Sequence, residues 1–367
     1  MIYLDNGATS FCKPLPVYDA VRGAMFTCAS PGRGGYPLAM NAGRRVLACR
    51  ERAGELFACD PEQVAFTGNC THGLNIAIKS LVKPGTRVVI TGFEHNAVTR
   101  PLHGLGAKIT VAGQKLFDWD DTLTAWEAAL KKGADAAVFT HCSNVFGYVL
   151  PVEEMAQLCK KYKVPFIIDA AQSAGVLPVS MKQLDADFIA MPGHKGLLGP
   201  QGTGLLLCRD SAQPLILGGT GSNSISGEMP DFLPDRLEAG TLNVPGIAGL
   251  SEGLGYLLKT GTASVLEKEH AQTTLCAQKL QALGLRVFAG EHQSGTVSFL
   301  PPTDCEDFAQ MLAQKGIAVR AGLHCAPLAH KSAGTLDTGT VRVSYGWDAC
   351  TWQTQKLCKT VAEIMKL

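Results

Sequence analysis

From residue 64 onward, short apolar runs alternate with amphipathic stretches along the chain. The runs that predict β-strands are residues 64–67, 87–91, 136–140, 165–169, 187–191 and 205–208. Helical patterns lie between most of these runs, for example at residues 122–132 and 152–162. Nearly continuous apolar strands with intervening helices are typical of a mostly parallel sheet that is covered on both faces. Ligands of such sheets bind beyond the carboxyl ends of the strands, so the residues that follow each run are the informative ones.

The residues that follow five of these runs have the chemistry of one binding site. They are Asn69, Cys70 and Thr71 after the first run, His95 after the second, Asn144 after the third, Asp169 and Gln172 after the fourth, and His194 and Lys195 after the fifth. Amides and a hydroxyl at a helix N-terminus suit a phosphate, an imidazole can stack on a flat ring, and an asparagine can hydrogen-bond a ring hydroxyl. On its turn rich in glycine and proline, Lys195 would be desolvated, which lowers its pKa and makes the amine a nucleophile. Together with Asp169 it fits the lysine and carboxylate pair that pyridoxal phosphate (PLP) requires.

Some of these residues also have an ordinary structural interpretation. Residues 193–196 could form a surface turn, Asn69 or Thr71 could only cap a helix, and His95 could be a hydrogen-bonded loop histidine. Five successive strand ends with complementary chemistry nevertheless favour a single site.

The first part of the chain is less informative. Residues 3–10 predict a short strand that runs into a polar loop. Residues 30–35 are rich in glycine and proline and could be either a linker or a lid over a substrate site. A helical stretch with Arg44 and Arg45 follows.

Composition narrows the class of protein. With 367 residues and 46% hydrophobic content, the chain has enough apolar surface for a large domain and a smaller one. The formal charge of +1 provides no global field for nucleic acid or an anionic membrane. No apolar run reaches the roughly 18 residues of a membrane span, and the start lacks the pattern of a signal peptide, so we expect a soluble cytoplasmic protein. The 13 cysteines have no paired spacing, which argues against a metal site or a disulfide framework and favours small core side chains.

These stretches, in this order, resemble the class V aminotransferase family of fold-type I PLP enzymes, and most closely its cysteine desulfurase and selenocysteine lyase branch. The resemblance implies an α/β fold with a mostly parallel seven-stranded sheet covered by helices, plus a smaller α+β C-terminal domain. It implies a large PLP-binding domain at residues 12–250, with residues 246–258 leading into a small domain made of residues 1–11 and 251–367.

The resemblance also implies roles for the candidate residues. Lys195 would be the Schiff-base lysine, Asp169 the partner of the pyridinium nitrogen, and His95 the stacking histidine. The remaining cofactor contacts would be Gln172 and Asn144 near the phenolic oxygen, and Thr71 and His194 at the phosphate together with the amides of Asn69 and Cys70. Residues 237–243 match the family's Glu-Ala-Gly-Thr-x-Asn segment, and residues 218–221 match a loop in which Thr220 would reach the phosphate of a neighbouring subunit. A homodimer with shared sites is therefore expected.

A second key stretch, residues 319–327, resembles the Arg-x-Gly-x-His-Cys-Ala loop of Suf-type desulfurases. Cys325 would take sulfur from the substrate as a persulfide, although it could also be an ordinary buried thiol. Arg342 would bind the substrate carboxylate, with Arg320 and Asn144 as further substrate contacts. Without the resemblance, the pattern around Arg342 predicts only a surface charge on a strand.

Two residues depart from the family's pattern. Pro192 stands where a phosphate-binding serine is usual, and Leu323 stands where Suf-type enzymes often have a second histidine. The favoured hypothesis is a cysteine desulfurase that acts on L-cysteine and passes sulfur to an acceptor protein. A selenocysteine lyase acting on L-selenocysteine, a PLP aminotransferase in which Cys325 is incidental, and a partner-binding protein that has lost PLP remain alternatives.

Overall fold

Strands in three sheets form the framework of the molecule in the part that the computed structural model describes, residues 1–32 and 34–366. The strands are β1 (Ile2–Tyr3), β2 (Val64–Thr67), β3 (Arg87–Thr91), β4 (Lys108–Ala112), β5 (Ala136–Thr140), β6 (Phe166–Asp169), β7 (Phe188–Pro192), β8 (Gly204–Cys208), β9 (Arg286–Phe288), β10 (Thr296–Leu300), β11 (Ile317–Ala318), β12 (Arg320–Gly322) and β13 (Thr340–Ser344). The predicted linker or lid at residues 30–35 includes Arg33, which lies outside the described residues, and both interpretations stay open.

Helices cover these sheets and connect most of the strands. They are α1 (Leu15–Thr27), α2 (Pro37–Phe57), α3 (Cys70–Leu81), α4 (Asn96–Gly104), α5 (Trp119–Lys131), α6 (Val152–Lys161), α7 (Met181–Leu184), α8 (Val244–Thr260), α9 (Thr262–Ala282), α10 (Cys305–Gln314), α11 (Pro327–Ala333) and α12 (Thr351–Ile364). Short 3-10 helices occur at Pro61–Gln63 and Asp235–Leu237. Among the described helices, none combines the length and the apolar character that crossing a bilayer requires.

The large sheet has seven strands in the order β2-β8-β7-β6-β5-β3-β4. Strands β4, β3, β5, β6 and β7 run parallel, and β8 is antiparallel to both of its neighbours, β7 and β2. Strands β5 to β8 are buried along their whole length, as expected for strands packed on both faces. The prediction of a mostly parallel seven-stranded α/β sheet is confirmed.

The structure corrects some element boundaries. Strand β4 was not predicted, because Lys108–Ala112 lies at the edge of the sheet and alternates between more and less exposed positions instead of forming a continuous apolar run. Helix α3 begins at Cys70, directly after Asn69, because the side chain of Asn69 caps it. Helix α5 likewise begins at Trp119, where Asp118 is the cap.

Two smaller sheets lie toward the C-terminal part of the chain. One is antiparallel, with the order β12-β13-β10-β9, and the other pairs β1 with β11 in parallel. The N-terminal strand β1 is therefore joined to β11, an element that follows residue 285. The boundaries at residues 12 and 250 stay a prediction.

Candidate functional site

A cavity of about 220 Å³ lies at the carboxyl ends of strands β3, β5, β6 and β7 and at the start of α3. Most of the predicted site residues line it, namely Asn69, Cys70, Thr71, His95, Asn144, Asp169, Gln172, His194, Lys195, Arg320 and Arg342. Cys325 and Thr220 do not line it. The structure therefore brings the candidate residues together at the expected edge of the sheet, while their roles stay predictions.

Lys195 lies on the cavity wall, on a turn that packs tightly against the loop after β6. A Cβ atom at the next residue, Gly196, would lie 2.4 Å from the backbone carbonyl oxygen of Ala174, so only glycine fits there. The hydroxyl of Ser10 shares its one hydrogen between the carbonyl oxygens of His194 and Lys195, each 3.0 Å away, and so ties the N-terminal segment to this turn. Burial, followed by the charge of Arg342, lowers the pKa of the Lys195 amine. A lowered pKa leaves more of the amine unprotonated and nucleophilic.

Asp169 ends β6 at the bottom of the cavity. One carboxylate oxygen, Oδ1, accepts hydrogen bonds from the amide of Ala171 at 2.9 Å and from the thiol of Cys70 at 3.5 Å. The other oxygen, Oδ2, has no hydrogen-bond partner among the described residues. Burial raises the pKa of Asp169, and the nearby Lys195 ammonium opposes this shift. One oxygen of Asp169 is therefore available to a cationic group in the cavity.

The N-terminus of α3 forms another part of the wall. Asn69 is the cap, because its Oδ1 accepts from the amide of His72 at 2.9 Å, so the capping interpretation holds for this residue. The amides of Cys70 and Thr71 have no acceptor within the described part of the chain. These amides and the free hydroxyl of Thr71 suit an anionic group such as a phosphate.

His194 and Pro192 lie on the wall beside the Lys195 turn. The Nδ1 atom of His194 is 3.1 Å from the hydroxyl of Thr9. Burial, with a smaller contribution from Lys195, lowers the pKa of His194 to about 4, so the ring is neutral near neutral pH. Pro192 has no hydroxyl to offer a phosphate.

His95 lies at the start of α4 with its ring on the cavity wall. Its Nδ1 atom accepts a hydrogen bond of 3.0 Å from the amide of Ala97. Burial, followed by the charge of Lys195, lowers the pKa of His95 to about 4, so the neutral ring carries its proton on Nε2. This contact with the backbone is also typical of an ordinary loop histidine. The imidazole ring of His95 in addition lies on the cavity wall, where it offers a surface for a flat ligand.

Arg342 on β13 is 1% exposed, so the surface-charge interpretation of its strand is wrong. Its Nη2 donates to Asp5 at 2.5 Å and its Nη1 to the carbonyl of Asn144 at 2.9 Å. Arg320, on the neighbouring strand β12, is the direct cross-strand partner of Arg342 and is exposed. The two guanidinium groups give this side of the cavity a positive charge that suits a carboxylate.

Cys325 is exposed, at a tight turn beside the cavity, so the interpretation of this residue as a buried thiol is wrong. The amide of Ala326 donates to the carbonyl of Leu323 at 2.9 Å, and the two central residues have left-handed φ angles of 51° for His324 and 56° for Cys325. Left-handed angles cost backbone energy at residues other than glycine, so such a turn persists only where surrounding contacts offset this cost. Asn144 donates to the carbonyl of His324, and the amide of Asn96 donates to the carbonyl of Cys325, both at 2.7 Å.

A chain of neutral side chains supports the same turn from below. The Nε2 atom of His324 lies 3.3 Å from the carbonyl of Arg320, which can only accept, so Nε2 is the donor and Nδ1 an acceptor. His330 Nε2 lies 3.5 Å from that Nδ1, and the Thr335 hydroxyl lies 2.8 Å from His330 Nδ1. Burial lowers the pKa of His324 to about 2 and that of His330 to about 4, which keeps both rings neutral.

The sequence interpretation missed several residues at the site. Gly7 and Ala8 line the cavity and Asp5 contacts Arg342, although residues 3–10 had been interpreted only as a strand and a loop. Glu94, directly before His95, is fully buried and accepts from the amide of Thr140, which joins β3 to β5 below the cavity. Burial raises the pKa of Glu94 to about 8. A carboxylate at a strand end next to a candidate histidine was the available signal.

Thr220 lies outside the cavity, where its hydroxyl is 3.0 Å from that of Ser222. Its predicted contact is with a second subunit and stays a prediction. In residues 1–32 and 34–366, no group of three or more His, Cys, Asp or Glu side chains is placed to hold a metal ion.

Known proteins match this chain over nearly its whole length. A protein from Pyrococcus abyssi named "Probable cysteine desulfurase" is 32% identical, covering 94% of this chain and 89% of that protein. One of the same name from Methanothermobacter thermautotrophicus is also 32% identical, covering 99% and 94%. The apo structure of a cysteine desulfurase from Thermococcus onnurineus NA1 matches with a TM-score of 0.91 and 30% identity, over 100% of this chain and 94% of that one. The family model described as Aminotransferase class-V matches residues 2–357, and the chain belongs to the class-V aminotransferase family.

Proposed function

We propose that this protein is a PLP-dependent cysteine desulfurase, which converts L-cysteine to L-alanine and keeps the sulfur as a persulfide on Cys325. The observation that carries the proposal is the convergence of Lys195, Asp169, His95 and Arg342 on one cavity, next to a turn that exposes the Cys325 thiol. The similarity to proteins named cysteine desulfurases supports the same reaction.

The residues of the cavity fit PLP. Lys195 would hold the cofactor covalently, Asp169 would pair with its ring nitrogen, and His95 would lie against its ring. The other cofactor contacts would be Asn144 and Gln172 at the phenolic oxygen, and Asn69, Cys70, Thr71 and His194 at the phosphate, with Thr220 from a second subunit. Because Pro192 lacks a hydroxyl, the amides at the start of α3 would bear more of the phosphate charge. When bound, PLP withdraws electrons from the amino group of the substrate.

The substrate carboxylate would bind Arg342, with Arg320 and Asn144 beside it. The thiolate of Cys325 would attack the sulfur of L-cysteine. The carbon–sulfur bond of the substrate breaks, a sulfur–sulfur bond forms on Cys325, and a proton is added to the carbon that lost sulfur. One cysteine and one enzyme thiol therefore give one alanine and one enzyme persulfide.

The persulfide would be reduced by a thiol or passed to an acceptor protein. The position of Cys325 on an exposed turn supports transfer to a partner. Leu323, two residues away, is also exposed, which provides an apolar contact where related enzymes often have a histidine.

The Cys325→Ser variant tests the proposal. We expect it to keep the visible absorption of bound PLP but to lose sulfide release from L-cysteine in the presence of reductant. Cys12→Ser, which changes another exposed cysteine, should retain activity. Undiminished sulfide release from Cys325→Ser would contradict the persulfide role.

The same assays separate the alternatives. A selenocysteine lyase would turn over L-selenocysteine in preference to L-cysteine and depend less on Cys325. An aminotransferase would require a keto acid, whereas a desulfurase forms alanine from L-cysteine without one. A colourless protein that stays colourless with added PLP would indicate a binding protein.

We also propose that the enzyme acts as a homodimer. Helices α1 and α2 pack against α8 but leave large apolar side chains in solvent, among them Leu15, Tyr18, Met25 and Phe26. Exposed apolar patches of this kind mark interaction surfaces. A cytoplasmic location stays a prediction from composition.

A further inference from the structure

A segment near the N-terminus, residues 4–10, connects the two sides of the cavity. At one end, Asp5 contacts Arg342 on β13. At the other, the hydroxyls of Thr9 and Ser10 donate to the carbonyl of His194 at 3.1 and 3.0 Å. We call residues 4–10 the N-terminal strap. Its contacts reach both the expected carboxylate-binding arginine and the turn that carries Lys195.

Hydrogen bonds hold the backbone of the strap on both sides of Asp5. The amide of Leu4 donates to Ala318 at 2.9 Å, and the amide of Ser344 donates back to Leu4 at 2.8 Å. The amide of Gly7 donates to the hydroxyl of Ser344 at 2.8 Å. Asp5 is thus fixed on both sides and has one short, charge-assisted contact with Arg342.

The packing leaves little freedom for Arg342. A Cβ atom added at Gly7 would lie only 3.2 Å from the central guanidinium carbon, so the strap leaves the guanidinium little room on this side. Asp5 and the carbonyl of Asn144 each take one N–H of the guanidinium, on different nitrogens. Because a guanidinium has five N–H groups, Nε–H and one N–H on each of the other nitrogens remain. Nε is buried and has no partner among the described residues.

The charges around Arg342 make this contact necessary. Arg320 is its direct cross-strand neighbour, and Lys195 lies close enough for the charge of Arg342 to lower its pKa. Asp5 forms the only ion pair of Arg342 within the described residues. Without this carboxylate, the buried guanidinium would lose its counter-charge among the described residues and its strongest orienting contact.

We propose that Asp5 is a positioning residue that orients Arg342 so that its remaining N–H groups bind the carboxylate of the amino acid substrate. The proposal rests on the proposed function and deepens it, because it names the residue that orients Arg342 to select substrates with a carboxylate. Asp5 acts through Arg342 and does not itself contact the substrate.

The test measures how tightly the holoenzyme binds ligands with a carboxylate and ligands without one. L-alanine, the expected product, and ethylamine, which lacks the carboxylate, are titrated against the visible absorption of the bound cofactor. In Asp5→Asn, we expect L-alanine to bind about tenfold more weakly, while ethylamine binding is unchanged. KM for L-cysteine should rise by a similar factor with kcat little altered. Asp19→Asn, which removes an exposed ion pair with Arg22, is the matched control.

Several outcomes would overturn the proposal. Equal weakening of both ligands would mean that Asp5 only holds the strap, and unchanged or tighter L-alanine binding would mean that Asp5 does not orient Arg342 productively. In Arg342→Gln, adding Asp5→Asn should cause no further loss, and an additive loss would contradict action through Arg342. If Asp5→Asn does not fold, Asp5→Glu, which keeps the charge but moves it, should weaken L-alanine selectively, and an unselective effect there would also refute it. A wild-type protein that neither binds L-alanine nor desulfurates L-cysteine would instead refute the proposed function.

Discussion

The side-chain amide of Asn144 donates a hydrogen bond to the backbone carbonyl of His324, with 2.7 Å between nitrogen and oxygen. Asn144 follows β5 of the large sheet, whereas His324 belongs to the turn that carries Cys325. The amide of Asn96 makes a second bond of 2.7 Å to the carbonyl of Cys325 itself. The position of the candidate sulfur-accepting thiol is therefore set by two residues that lie beside the expected ring-binding site.

Asn144→Asp should weaken this connection. The new carboxylate would face the His324 carbonyl, so a hydrogen bond becomes a repulsive contact between two acceptors. We expect persulfide formation on Cys325, followed by mass spectrometry after a pulse of L-cysteine, to slow by about tenfold or more. Asn41→Asp is the matched control, because Asn41 makes a similar bond of 3.0 Å to the carbonyl of Thr27 and neither residue lines the cavity. An unchanged rate in Asn144→Asp would show that the turn holds its shape without this bond.

The histidine chain under the turn leads to a second prediction. His330→Leu replaces the imidazole with an apolar side chain of similar size, which removes the donor to His324 and the acceptor for Thr335. Leaving these buried groups unpaired should lower the free energy of unfolding by about 1–3 kcal/mol. Persulfide formation should also slow, because the strained turn loses support. Urea unfolding and the mass-spectrometric assay measure the two effects, with the exposed His103→Leu as control. A loss of stability without any change in persulfide formation would show that the hydrogen bonds of His330 do not support the turn that carries Cys325.

Local patterns were sufficient to predict the interior of the large sheet. Strands such as β5 and β7 are buried on both faces, so their sequences are continuous apolar runs. The residues after these runs then reach one cavity because parallel strands end at the same edge of the sheet. Strand β4 lies at the edge of the sheet and has partly exposed positions, so its sequence is not a continuous apolar run and did not predict a strand.

Long-range contacts could not be predicted in this way. Arg342 looks like a strand surface charge because its buried surroundings come from residues more than 190 positions away, Asp5 and Asn144. Without these partners in view, a charged residue between valines indicates an alternating strand with one exposed face. The N-terminal strap has no pattern beyond a short strand and small polar residues, so its place against the cavity depends on the whole fold.

Glu269 provides a prediction about pH. This residue of α9 is buried, and burial, with the Asp348 carboxylate adding to it, raises its pKa from 4.5 to about 8. Between these values the folded protein holds a proton that the unfolded chain releases, so this position makes the free energy of unfolding fall as pH rises. Below pH 4.5 both states are protonated and the effect disappears. The slope reaches at most about 1.4 kcal/mol per pH unit for one group.

Glu269→Gln should remove this contribution. The free energy of unfolding of the wild type, minus that of the variant, is expected to decrease steadily from about pH 4.5 to about pH 8, as measured by urea unfolding. Glu267→Gln changes an exposed residue of the same helix and should leave the pH profile of the wild type unaltered. Parallel profiles for the wild type and Glu269→Gln would mean that Glu269 is ionised in the folded protein.

The apolar face of α1 supports a prediction about assembly. Leu15 is 77% exposed and Phe26 is 81% exposed, and Tyr18 and Met25 lie between them at helical spacing. If a second copy covers this face, the double variant Leu15→Asp and Phe26→Asp would bury two unpaired carboxylates in the interface and should be monomeric by analytical ultracentrifugation. Trp352→Asp, which changes a residue of α12 that is 59% exposed, should remain dimeric. Because Thr220 is expected to reach the phosphate of the other subunit, the monomeric variant should also retain PLP less tightly. A variant that stays dimeric would place the interface elsewhere, and a wild type that is monomeric at all concentrations would contradict the shared site.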